Sequence, residues 1–496
     1  MKKLFLLFLL VSFAPGIVRA AESLDFRTVD ELTYRFYIEQ KWDSVILIGK
    51  KALKQNIDYY YLRVRMGVSY YEKQEYFPAI THLKKARKFN SGDPFVSDYL
   101  YRSYLYSNQD QEAQLLKAKM SKETGETRDT KNGFVEQAHF EGGYTISSDR
   151  SPDNLSDLMG SDSIYGEQDL YGNNLYSNLG LKLRISNRVG LSIAYNYLNF
   201  NKTKYIQYGR GEAQLDTIID RPLSKDYFYS YPWKIHDTAF KYNVIQQEGH
   251  VGASIGLPYG IKAVAALHLV HVSYSEINPS YRFDSLSDTT YYSKIDSSYH
   301  LFNYPSVEYS FTEKDTSFNN WVVYLGVSKN LGIFNIGLSG SWSNLNNLTQ
   351  KQIGGSLTYY PLGNLNLYGT TTLTGFFQKN DNRLLFSQVV GGKITPWMWL
   401  EGNLFWGDYT NANIYNGSVV YNNSDIIKYR IGANLVFNIG DHLQLSLIYQ
   451  YFRKESQQLY YIKTTDPDTH EINEIPQIKN NLYNTNTIIG GITWKF

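Results

Sequence analysis

The chain has no cysteine in 496 residues. That excludes a disulfide framework and a lipid anchor attached at a processed N-terminal cysteine. A charge bias is missing as well. With 49 Lys and Arg against 47 Asp and Glu, bulk electrostatics point to no nucleic-acid partner. Past the first residues there is no apolar run of the ~18 residues that a membrane-spanning helix requires. The sequence also lacks HExxH, a nucleotide-binding glycine loop and GxSxG. His268 and His271 are the closest histidine pair, but at that separation on a strand they face opposite sides and cannot share a metal. These absences lead us to expect no cofactor, no metal and no enzymatic activity.

What is present begins with an export signal. Lys2 and Lys3 precede the apolar stretch Leu4–Val11, and Val18-Arg19-Ala20 offers a signal-peptidase site, so residues 1–20 read as a cleaved signal peptide. Tyrosine is abundant, at 45, whereas methionine numbers 5. A mean hydropathy of −0.39 resembles that of a soluble protein, but a barrel conceals its membrane signal by alternating faces.

Residues 21–122 carry a helical period that repeats. Gly67, Tyr70, Tyr76, Ala79, Leu83 and Ala86 form a packing set in which small residues let two antiparallel helices approach and aromatics fill between them. Phe36, Trp42, Val45 and Ala52 lie one repeat earlier, and Tyr104 and Ala113 one later. The spacing resembles the tetratricopeptide repeat, in about three helix pairs. Thr33 and Tyr101 depart from it where a small glycine is expected, and Gly49 replaces a large residue. Such an array implies a protein-docking surface. A plain spacer is the alternative. Residues 123–132 are polar, without periodicity, and read as a linker.

From 133 to 496 the period is two. Segments of about ten alternating residues, separated alternately by short turns and long connections, parse into about 14 strands, with 12 or 16 also compatible. Short turns such as Asn187-Arg188, Pro258-Tyr259, Asn330-Leu331 and Gly440-Asp441 follow even strands. Long connections such as Lys202–Lys241, Ser275–Asn320 and Glu455–Asn481 follow odd ones. Both ends of the barrel then emerge on the short-turn side. The last strand alternates Ile488, Gly490, Ile492, Trp494 and Phe496, and resembles the terminal signature that the barrel-assembly machinery recognises. The fold class is therefore α + membrane β: a short tetratricopeptide-like helical domain, then an antiparallel transmembrane β-barrel in outer-membrane lipid.

A charge facing hydrocarbon at mid-depth costs about 2–4 kcal/mol, so the polar side of each strand must face the lumen. This places Lys182, Arg184, Lys262, Lys393, Lys428 and Arg430 inward, with Glu141, Glu248 and Glu401 as the inward acids. A basic lumen would favour anionic cargo through field focusing. Alternatively these bases pair with acids from an inward-folded loop, for which acid-rich Ser275–Asn320 is suited.

Helical repeats ahead of an outer-membrane barrel resemble the export porins for bacterial exopolysaccharides. In those proteins the repeats scaffold periplasmic partners and the barrel passes the polymer. The resemblance covers the order of parts only. It implies a transport conduit, for a polysaccharide or an anionic solute, with a periplasmic protein partner on the repeats. A non-conducting scaffold of an envelope complex and a surface adhesin or receptor are the other two readings.

Overall fold

The computed structural model describes residues 24–124, 134–149, 163–211, 214–221, 224–230, 233–285, 289–293, 298–302, 305–422, 424–465 and 472–496. The expected signal peptide, and the linker from residue 125 on, lie outside them. The chain divides into two compact units, Met1–Thr127 and Arg128–Phe496.

The first unit is six helices: α1 (Phe26–Ile38), α2 (Trp42–Lys54), α3 (Tyr60–Glu72), α4 (Tyr76–Phe89), α5 (Pro94–Tyr106) and α6 (Asp110–Thr124). Local chemistry sets their ends. Asp25 caps α1 by accepting the Thr28 N–H at 2.7 Å. Asp93 caps α5, with Pro94 at the first helical position, where a missing N–H costs nothing. Gln40, Gln74 and Asn108, spaced 34 residues apart, take left-handed conformations that end α1, α3 and α5. The bonds Lys41 N to Phe36 O, Glu75 N to Tyr70 O and Gln109 N to Tyr104 O recur at the same interval. Each helix packs on the next, and α1, α3 and α5 also touch in succession.

The packing set lies where the helices meet. Ala79, Leu83 and Ala86 are fully buried, Tyr70 nearly so, and Tyr76 is partly buried. A Cβ on Gly67 would sit 2.7 Å from Leu83, so the α3–α4 approach depends on that glycine. Thr33, at a position where glycine was expected, is buried with its hydroxyl satisfied: it donates to Val29 O and accepts from Arg65 Nη1. Opposite Gly49, the Met66 side chain takes up the space a larger residue would need.

The second unit holds β1 (Val135–Ser147), β2 (Ser163–Arg184), β3 (Val189–Gly211), β4 (Gln214–Arg221), β5 (Ser224–Ser230), β6 (Trp233–Leu257) and β7 (Ile261–Ser285). It continues with β8 (Thr289–Ser293), β9 (Ser298–Phe302), β10 (Pro305–Leu331), β11 (Phe334–Ser343), β12 (Gln350–Tyr359), β13 (Leu367–Gln378) and β14 (Asp381–Thr395). The last are β15 (Met398–Trp406), β16 (Asn413–Ile414), β17 (Val419–Val420), β18 (Ile426–Ile439), β19 (Leu443–Thr465) and β20 (Ile472–Lys495). Fourteen of them close an antiparallel barrel in the order β1-β2-β3-β6-β7-β10-β11-β12-β13-β14-β15-β18-β19-β20, and the other six form three small hairpins. β1 and β20 pair through Gln137 and Lys495, so the first and last strands meet at the short-turn end.

Two expectations need correction. The turn assigned to Asn330-Leu331 falls after Leu331, where Gly332 adopts φ +60°, a conformation that glycine takes without a Cβ penalty. The long connections are largely strand. β7 and β10 stay paired without a break from Ile261 opposite Lys329 to Ser285 opposite Pro305. Ser275–Ser285 and Pro305–Asn320 therefore extend the wall, and Asp315 accepts from Ser275 within it. Asp288 and Asp296 lie outside the described residues.

The outer surface is apolar. Leu179, Leu269, Leu325, Leu338, Ile353, Leu384, Ile431 and Ile488 are all exposed on strands whose alternate residues are buried or polar. A soluble barrel would not leave so many aliphatic side chains in water. Aromatic pairs mark both rims of this band. Phe334 stacks on Tyr359 and Trp397 on Phe437 at the short-turn end, and Trp321 meets Trp342 edge-on at the other. This is the girdled belt of a membrane-spanning barrel.

Candidate functional site

In the connection between β15 and β18, the described residues 407–422 and 424–425 do not extend the wall. Gly407, Asn411, Tyr415, Asn416 and Gly417 all have positive φ, which breaks the strand and folds the chain back on itself through the β16–β17 hairpin. Its partners lie on the inner faces of β7, β10, β11, β13, β14, β15 and β18. A segment touching so many strands from within occupies the lumen.

Apolar and polar contacts share the anchoring. Tyr409 and Ala412 are buried with Phe376, Leu385, Phe405, Ile427 and Phe452. Val420 is buried with Val244, Val270, Val272, Val322 and Leu345. Arg383 binds Asp408 and the Thr410 carbonyl. Asn413 Nδ2 donates to Ser341 Oγ at 3.0 Å, and Asn411 accepts from Asn346 at 2.7 Å. Arg430 donates to Tyr421 at 2.7 Å and Tyr415 at 3.1 Å. His268 contacts the Gly417 carbonyl at 2.8 Å.

A cavity lies on either side of this loop. Toward the short-turn end, about 520 Å³ is lined by Glu141, Lys182, His139, His250, Lys262 and the loop tip. Toward the other end, about 420 Å³ is lined by Tyr171, Phe200, Tyr242, Tyr274, Lys202 and Lys454, among others. Both volumes are in the range that holds small molecules.

The basic side chains singled out from sequence are dispersed. Lys182 and Arg184 converge on Glu136 of β1, at 3.3 and 2.5 Å, so their charge is shared with the neighbouring strand. Lys262 lines the lower cavity. Lys393 stands over Trp399, 5.1 Å from its ring centroid. Arg430 is inside, with only 3% of its surface exposed.

Lys428 is a correction. The register of β18 shifts between Ile427 and Tyr429, so Ile427 and Arg430 both face inward and Lys428 drops out of the alternation. Its ammonium lies 2.8 Å from Glu455, which pairs with Ile426 and with exposed Leu482 on the outer face. This pair sits beyond the girdle of Tyr449 and Tyr451, where no hydrocarbon penalises a charge. Of the inward acids, Glu401 accepts from Tyr368 at 2.5 Å, Glu141 from Tyr176 at 3.2 Å, and Glu248 is buried. At the C-terminus, Trp494 stacks with His442 and the Phe496 N–H donates to Glu136 O. Among the described residues, no group of three or more potential metal ligands converges.

Sequence reasoning missed the loop, Glu136 and the role of His268. The visible signal was the stretch from Gly407 to Asp425, where alternation lapses, Asn and Gly accumulate, and Tyr409, Val420 and Tyr421 remain without an obvious strand.

No protein-family model matches the sequence, and no curated protein matches it either. Several solved structures align with the chain. A Pseudomonas aeruginosa FadL homologue aligns at 8% identity over 73% of this chain and 90% of its own, with a TM-score of 0.39. The monoaromatic hydrocarbon channel CymD aligns at 8% identity over 73% and 89%, with a TM-score of 0.30. The P. putida toluene transporter TodX gives 9% over 73% and 90%, with a TM-score of 0.27.

Proposed function

We propose that this chain is an outer-membrane solute conduit that its own loop, residues 407–425, holds closed. One observation carries the reading: the loop lies in the lumen between two cavities, held by side-chain hydrogen bonds and by the buried Tyr409, Ala412 and Val420. A purely structural barrel would have no need to keep open space on both sides of a tethered segment. Cargo of little net charge suits the lumen better than anions, because Lys182 and Arg184 are offset by Glu136 and both acids and bases line the lower cavity.

The first strand starts at the short-turn end, which outer-membrane barrels turn to the periplasm, so the chain preceding it emerges there. The helical unit, with its 34-residue recurrence, is a tetratricopeptide-like platform for a periplasmic protein. Trp494 and Phe496 serve recognition by the assembly machinery.

Planar-bilayer conductance tests the conduit. The purified chain should conduct weakly, and a variant with residues 409–422 replaced by a short Gly-Ser linker should conduct steadily. If both remain closed, the barrel is an anchor and the transport reading fails.

A further inference from the structure

The loop tip meets the wall at one buried cluster. Gly417, with φ +78°, presents its carbonyl to His268 Nδ1 at 2.8 Å. His268 is fully buried, and its other nitrogen lies 3.2 Å from Glu248 Oε2. Glu248 also accepts from Asn196 Nδ2 at 2.6 Å on the same oxygen, and from Gln246 on Oε1. Other titratable groups face this pair. His250 on β6 has its ring 5.6 Å from that of His268 and faces the Asn416 backbone. Tyr324 on β10 lies against Gly417, and Tyr415 is in the loop itself. Tyr176 and Glu141, on β2 and β1, form the next layer.

The hydrogen count follows from this network. A carbonyl only accepts, so His268 Nδ1 carries a hydrogen. A carboxyl that accepts from two amides and faces a third nitrogen fits the ionised form, so Nε2 carries a hydrogen as well. His268 is then an imidazolium, with one N–H on the wall carboxylate and the other on the loop.

We infer that Glu248 and His268 form a proton-holding site that latches the loop tip, a deepening of the conduit reading. Removing the proton leaves one hydrogen for two acceptors. The ring then either donates to Gly417 and abuts the carboxylate with a bare nitrogen, or keeps Glu248 and lets the carbonyl go. Neutralising Glu248 instead removes the counter-charge that keeps the imidazolium buried. In each case the bond to the tip is either lost or stripped of its charge assistance, which shifts the bound-to-released ratio by about tenfold.

The absence of native cysteine allows a clean test. A spin label at Asn416→Cys in the full-length protein, in detergent micelles, reports the mobility of the loop tip directly. The label should be immobile in the otherwise native chain. Glu248→Gln and His268→Phe should each raise the mobile fraction about tenfold, while heat-modifiable gel migration confirms an intact barrel. Nitrogen-15 NMR of labelled histidine should show both His268 nitrogens protonated at neutral pH and only one in Glu248→Gln. An immobile tip in both variants, or a singly protonated His268 in the native chain, overturns the latch. Neither readout needs conductance, so the latch can fail while the conduit stands, and the reverse.

Discussion

The guanidinium of Arg430 lies 3.7 Å from the ring centroid of Phe405 and from there donates to Tyr415 and Tyr421, one on either side of the loop tip. A side chain expected to line a basic pore instead uses its fixed planar fork to hold the segment that fills the pore. Arg430→Lys should therefore behave almost like Arg430→Ala, because an ammonium cannot reach both phenols while stacked on Phe405. Both should raise single-channel conductance, with a loss of about 2–4 kcal/mol of loop anchoring. Conductance that stays native in Arg430→Ala, while the loop-replaced variant conducts, would remove Arg430 from the gate.

Lys428 serves as the control for that experiment. Its ammonium is half-exposed, its partner Glu455 is buried, and the pair lies away from the lumen. Lys428→Ala should leave conductance and ion selectivity unchanged. A shift in selectivity would return Lys428 to the lumen.

Adjacent residues of β11 separate lipid from lumen. Leu338 is exposed on the outer belt, and the neighbouring Ser339 points inward. Leu338→Arg should cost about 2–4 kcal/mol in a folding titration into lipid vesicles. Ser339→Arg should cost clearly less. Equal costs would contradict the assignment of faces.

In the helical unit, Gly67→Ala should destabilise more than Gly49→Ala, although both glycines are tightly enclosed. The added methyl at 67 meets branched Leu83 and its backbone nitrogen, whereas at 49 it meets the flexible end of Met66. The expected overpacking cost at 67 is about 1–3 kcal/mol, read from the thermal unfolding of this unit.

The same unit should weaken in acid. His82 stacks on Tyr70 and accepts from Arg63 at 3.1 Å, and burial, with Arg63 beside it, pushes its pKa down to about 4. The unfolded chain therefore binds the proton more readily. Stability from this group is fully present above its ordinary value of 6.5 and is lost as pH falls toward 4. The slope amounts to about 3 kcal/mol across that window. His82→Phe should flatten the pH dependence of the melting temperature between those limits. An undiminished slope in that variant would place the acid sensitivity elsewhere.

The division into helices and a membrane barrel was legible because side-chain direction follows from local covalent geometry. Alternation at Leu179, Leu181 and Ile185 requires no knowledge of neighbours, and neither does the recurrence of small and aromatic residues around Gly67 and Ala79. Strand ends were less legible. Past the aromatic girdle no hydrocarbon enforces alternation, so the paired extensions of β7, β10, β19 and β20 looked like loops and Lys428 looked inward. The sequence by itself determined most of the residues that face oil and set the crossings at about 14, with 12 or 16 still compatible, since one period and one solvent boundary govern both. Only the tertiary structure decided what closes the lumen. Arg430, His268 and Gly417 lie far apart in sequence or carry no local pattern, and their hydrogen bonds exist only once the cylinder has closed around the loop.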